Sequence, residues 1–120
     1  MFGITKVERV GGRDDRWLGS RHGVENARTV TLNSEGFDTS APDGIVKSGT
    51  PVEIVGGLAV EWAGTNKIEG FVLDDVSVRD GDSPAPLLWH GLINTQFLPV
   101  ATFTVPANPG PFVYVGGNKA

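Results

Sequence analysis

The longest stretch of this 120-residue chain without glycine or proline is twelve residues, Val24 to Glu35. Seventeen Gly and eight Pro interrupt the rest. In a helix interior Gly costs about 1 kcal/mol relative to Ala, and Pro about 3. Long helices, bundles and coiled coils are therefore excluded, whereas short strands separated by turns remain possible. No apolar run approaches the ~18 residues of a membrane-spanning helix. Residues 1–10 alternate charged with apolar side chains instead of forming the apolar core of a secretory signal, so no membrane association is expected.

Breakers at this density do not imply disorder. Hydrophobic side chains make up 39% of the chain, and the β-branched residues Val, Ile and Thr far outnumber Leu, which suits a pleated, half-buried surface. A domain of this length buries roughly two-thirds of its unfolded surface, enough for one core. The expected fold is mostly β: a small sandwich or barrel-like single domain with an extended N-terminal arm and little helix.

Charge and reactive side chains narrow the functional classes. With no Cys there are no disulfides, thiolate nucleophiles or Cys-based metal sites, which suits synthesis in a reducing cytoplasm. Only His22 and His90 could supply an imidazole. Residues 1–28 hold six of the ten cations against four acids, while residues 29–120 hold four cations against ten acids. A net-acidic body lacks the basic stripe of a nucleic-acid groove. A basic arm on an acidic body is instead a pattern met in assembly proteins.

The chain divides accordingly into an arm, 1–28, and a β-rich domain, 29–120. The arm has no sustained period of 2 or 3.6. Two readings of it stand: a loose terminus, or a segment that orders on a partner with Trp17-Leu18 as apolar anchor and arginines as polar rim. From Arg28 to Asn33 the pattern alternates as a strand, with Val30 and Leu32 on one face. Pro51–Val55 and Leu58–Trp62 flank Gly56-Gly57 as a hairpin, with Val52 and Ile54 predicted inward. Ile68–Val78 reads as a central strand broken or bulged at Asp74-Asp75. Beyond the Asp80-Gly81 turn lie a strand or bent strand pair within 85–97 and two tail strands, Phe103–Val105 and Phe112–Val115.

Chemical motifs are sparse. The Gly pairs lack the Lys-Ser/Thr of a phosphate loop. The acidic set Asp74, Asp75, Asp80 and Asp82 lacks the alternating spacing and terminal Glu of a calcium loop and reads as turn formers. His90, between Trp89 and Gly91, reads as a structural histidine, and no Gly-x-Ser-x-Gly elbow offers a nucleophile. Trp62, Trp89 and Phe71 have the spacing of strand core residues, a sugar-stacking platform being the less favoured alternative. No enzyme, metal or cofactor is expected.

Three stretches, taken in order, carry a family resemblance: Ile45–Val52 (IVKSGTPV), Ile68–Val76 (IEGFVLDDV) and Asp80–Asn94 (DGDSPAPLLWHGLIN), followed by Leu98-Pro99. Together they resemble the lambda-type head-decoration proteins of tailed bacteriophages. The segment Asp15–Gly23 (DRWLGSRHG), followed by Ala27–Leu32, is similar to the N-terminus of such proteins from phages of actinobacteria. The resemblance implies a homotrimer on the outer surface of the virion capsid, made in the host cytoplasm, that binds the major capsid protein and cements the expanded shell. It implies an arm that orders against the capsid, with Arg13, Arg16, Trp17, Leu18, Arg21 and His22 as contact residues. The trimer interface is expected in the 85–98 region, at Leu88, Trp89, Leu92 and Phe97. The competing expectation is a carbohydrate- or cell-surface-binding β module displayed on a virion.

Overall fold

A computed structural model of the chain describes residues 16–20 and 26–119. Among these, nine short strands run in order: β1 (Arg28–Leu32), β2 (Ile45–Val46), β3 (Pro51–Val55), β4 (Leu58–Glu61), β5 (Gly70–Val72), β6 (Val76–Ser77), β7 (Ser83–Leu88), β8 (Gly91–Asn94) and β9 (Phe112–Val115). One 3-10 turn, Thr95–Phe97, follows β8. Five strands close a barrel in the order β1-β4-β3-β5-β7, while β2 pairs with β6 and β8 with β9. Closure leaves the barrel strands no open edge. The chain is thus mostly β, with the barrel-like single domain and scarcity of helix that its breakers impose.

Local chemistry accounts for most of the elements. Gly56 and Gly57 both take positive φ, 61° and 87°, which the two-residue turn between Val55 and Leu58 requires. At Asp74-Asp75, where the sequence predicts a break or a bulge, the strand breaks: β5 ends at Val72, and the chain turns away so that Val46 and Ile45 pair with Val76 and Ser77. Pro84 and Pro86 sit within β7, opposite Thr31 and Thr29 of β1. Pro86 accepts the Leu73 N–H on the side away from β1. Its ring nitrogen therefore faces the same way, past the end of the three-residue β5, where no ladder donor is needed.

Two sequence expectations are corrected. Val52 is buried, but Ile54 is 40% exposed. The neighbouring strands cover only the base of this hairpin: β5 reaches Pro51 and Val52, and β1 meets β4 at the single pair Leu32–Ala59. The tip, with Ile54 and Val55, therefore projects beyond the barrel. Phe103–Val105 is not a strand; it contributes one isolated bridge, Phe103 to Lys119.

The core is double. Inside the barrel lie Leu32, Val46, Val52, Ala59, Val72 and Leu87, with Phe37 beneath them. Outside one wall lies a second, aromatic cluster of Trp17, Phe71, Leu88, Ile93, Phe103 and Phe112, joined by Ile68 and Leu98. The β5–β7 wall separates the two: Val72 and Leu87 point in, Phe71 and Leu88 out. A wall buried on both faces explains why these positions read as adjacent apolar pairs without alternation. Phe71 is central to the outer cluster, 5.7 Å from the Trp17 ring, 5.1 Å from Phe112 and 6.4 Å from Phe103 between centroids.

Trp17 and Leu18 do not form a free anchor. Trp17 is fully buried. Its indole N–H donates to the Ser48 hydroxyl at 3.0 Å, and Ser48 donates onward to the Leu73 carbonyl at 3.0 Å. The backbone is stitched to β8 on both sides of Leu18: Asn94 N–H donates to the Trp17 carbonyl, and Gly19 N–H to that of Leu92. Gly49 (φ 96°) leaves room for the indole, since a Cβ there would lie 2.8 Å from the Trp17 ring. Residues 16–20 therefore belong to the folded body and not to an arm, because the outer core supplies the apolar cover that a free terminus lacks.

This packing predicts the stability of three variants, measurable by urea denaturation. Trp17→Ala loses about 3–5 kcal/mol. Gly49→Ala loses about 2 kcal/mol or more, because backbone strain and overlap with the indole add. Gly57→Ala, with open space around its Cβ, loses only the left-handed backbone cost of about 1–2 kcal/mol.

Candidate functional site

β8 lies between two partners, the 16–20 segment on one side and β9 on the other. The β8–β9 ladder is parallel and pairs Gly91 with Phe112, Leu92 with Val113, Ile93 with Tyr114 and Asn94 with Val115. Paired side chains share a face. Ile93, Phe112 and Tyr114 turn inward to the aromatic core. Leu92, Val113 and Val115 turn outward, with Val113 62% and Val115 40% exposed.

The outer edge of β9 is open beyond Phe112, whose N–H donates to the Pro109 carbonyl. Gly91 N–H donates to the Pro111 carbonyl. In a parallel ladder that phase directs the backbone groups of Val113 toward β8 and those of Tyr114 away from it. No strand pairs there among the described residues. β9 itself (Phe112–Val115) holds no charge and no proline, the usual guards of a sheet edge. The next residues, Gly116 and Gly117, are anchored from within: Thr95 donates to the Gly117 carbonyl, and the Gln96 amide to the Gly116 and Asn118 carbonyls.

The sequence-predicted residues fall into three groups. Arg13, Arg21 and His22 lie outside the described residues. Trp17 and Leu88 are fully buried and so cannot line a contact with another molecule; both fill the outer core, Leu18 packing against them. Arg16, Trp89, Leu92 and Phe97 reach the surface in whole or part. The Arg16 guanidinium stacks over the Phe97 ring, 4.9 Å from its centroid. Trp89 carries Arg28 at 5.4 Å and His90 edge-on at 4.3 Å, and its indole donates to the Asn26 carbonyl. Arg28 also approaches Glu69 at 3.8 Å, an exposed pair of small energetic weight.

Val113, Val115 and the hairpin tip were not anticipated as surface groups. The period of two in Phe112-Val113-Tyr114-Val115 carries the signal, since with the aromatics inward both valines must face out.

The acidic set does not converge. One Asp75 oxygen accepts the Ser48 N–H and one Asp82 oxygen the Ser34 N–H, both at 2.8 Å. These carboxylates fasten loops to the body. No group of three or more His, Asp or Glu side chains is arranged to hold a metal ion among the described residues. Carbohydrate stacking on Trp89 is restricted by Arg28 on its face, whereas Trp62 is only partly covered.

No family model matches the chain, and no curated protein or solved structure matches it either.

Tyr114 gives the β8–β9 unit a pH signature. Its hydroxyl is buried without a partner, and burial pushes its pKa well above the ordinary value near 10. The unfolded chain ionises this phenol first, so its contribution to stability is intact below about pH 10 and declines as pH rises above it. Urea titrations near pH 8 and near pH 10.5 are expected to show a smaller alkaline loss for Tyr114→Phe than for the parent. At the lower pH Tyr114→Phe is neutral or stabilising by about 1 kcal/mol, because it removes an unsatisfied buried hydroxyl.

Proposed function

We propose that the chain is a structural, non-catalytic protein of a virion surface: a homotrimeric head-decoration protein that binds the outside of the expanded capsid and stabilises it. The observation that carries this reading is the outward row Leu92, Val113 and Val115 beside the open edge of β9. Two exposed valines beside a half-buried leucine, next to unpaired backbone, are a poor surface for an isolated monomer and a good one for association. Copies that dock by one such edge against a different surface of the next form a heterologous contact, which a threefold rotation closes into a ring. The resemblance of residues 45–52, 68–76 and 80–94 to lambda-type decoration proteins supports the same role, as does the acidic body behind a more basic N-terminal segment.

With Trp17 and Leu88 committed to the core, the contacts divide differently. The trimer face is assigned to Leu92, Val113 and Val115, with Phe97 and Trp89 at its margin. The shell contact falls to Arg13, Arg16, Arg21 and His22 and to the residues before Arg16. A trimer that binds only the expanded lattice stabilises it by mass action. Three contacts per trimer turn weak single affinities into avidity.

Light scattering and co-sedimentation with expanded, undecorated heads test this together. The parent chain is expected at three times the monomer mass and in the pellet with heads. Val113→Glu is expected to be a folded monomer that binds heads at least tenfold more weakly, since each lost contact also removes avidity. A parent that stays monomeric and remains in the supernatant would refute the reading.

A further inference from the structure

A cleft of about 420 Å³ opens between β4 and the 99–102 segment, within the range of small-molecule sites, about 300–1,000 Å³. Its walls combine apolar surface from Pro51, Trp62, Pro99 and Val100 with the hydroxyls of Thr39 and Thr102. Two opposite charges, Lys47 and Glu61, also line it. One Glu61 oxygen accepts the Ser40 N–H at 2.8 Å, which fixes the carboxylate and leaves its second oxygen toward solvent. The neighbouring Ser40 hydroxyl oxygen has no partner.

Trp62 is held rigidly. Its ring packs on Phe103 at 5.5 Å between centroids, and its indole N–H donates to the Asn66 carbonyl. The same side chain also lines a second hollow of about 410 Å³, together with Thr65, Asn66, Pro106 and Asn108. Trp62 therefore lines both hollows, whose walls carry hydroxyl, amide, carboxylate and ammonium groups.

We propose that these two hollows bind a short neutral oligosaccharide running past Trp62, with a sugar ring against the part of the indole that Phe103 leaves uncovered. Sugar rings offer an apolar C–H face to an aromatic or proline surface, and hydroxyls that both donate and accept. Separate charged groups strengthen such hydrogen bonds without demanding a charged ligand. A phosphorylated ligand fits less well, because the lining combines one Lys with one Glu and residues 29–120 are net acidic. The site is independent of the β9 edge and of the assembly reading.

The test follows the three indole N–H signals of the full-length, 15N-labelled protein. The probes are maltotetraose, cellotetraose, triacetylchitotriose and a galactan tetrasaccharide, each at up to about 10 mM, beyond the millimolar affinity of a weak site. At least one is expected to shift the Trp62 signal saturably while the Trp17 signal stays in place. Glu61→Gln, which keeps the oxygen that accepts from Ser40, and Lys47→Gln, at an exposed position, are each expected to weaken that binding about tenfold. The proposal is overturned if no probe moves the Trp62 signal, or if both variants bind as the parent does.

Discussion

The outer core, and the N-terminal segment and β9 with it, depends on where one indole goes. Trp17 fills the outer core, and its N–H begins a relay through the Ser48 hydroxyl to the Leu73 carbonyl. That relay joins three separate pieces: the segment before β1, the loop before β3 and the break after β5. Burying a ring of this size with its single polar atom satisfied is among the largest contributions one side chain makes. It also satisfies Ser48, whose hydroxyl is buried with it. Removing the indole would leave a cavity and a displaced polar group in the same place.

From this plug the rest of the outer core follows. Phe71 meets Trp17 on one side and Phe112 on another, so β9 is held to the barrel by the ring that also holds the N-terminal segment. The 16–20 segment and β9 flank β8 on opposite edges. The inner core needs none of this, since the closed barrel covers Leu32, Val72 and Leu87 by itself. One wall therefore serves two clusters, and the surface that remains open is the far edge of β9.

Much of the barrel was legible in the sequence because its cues are local. Gly56-Gly57 between alternating strands specifies the hairpin, Asp74-Asp75 marks the break, and Val30 and Leu32 share the face predicted for them. The failures involve partners distant in the chain. Trp17 looked unsupported because Ser48 lies 31 residues away and Gly49 reads as an ordinary turn residue until an indole is placed against it. Leu88 reads like any exposed-or-buried strand end until the wall is known to be covered on both sides. The parallel pairing of β8 with β9 was hidden by a proline-rich connection with no α-helix, an uncommon crossover for parallel strands. Ile54 was misplaced because alternation reports which face a residue shares, and says nothing of where the neighbouring strands stop.

For function, the consequence is a division of labour between the N-terminal residues and the body. Trp17 is spent on self-folding, so the proposed association is left to the β9 edge and to polar contacts from the more basic segment. The most direct test of the account is hydrogen exchange at the three indole N–H groups under native conditions. Trp17 is predicted to exchange slowest by far, only on global unfolding, because its N–H is buried and bonded to a buried hydroxyl. An indole of Trp17 that exchanges as fast as those of the more exposed Trp62 and Trp89 would contradict the account.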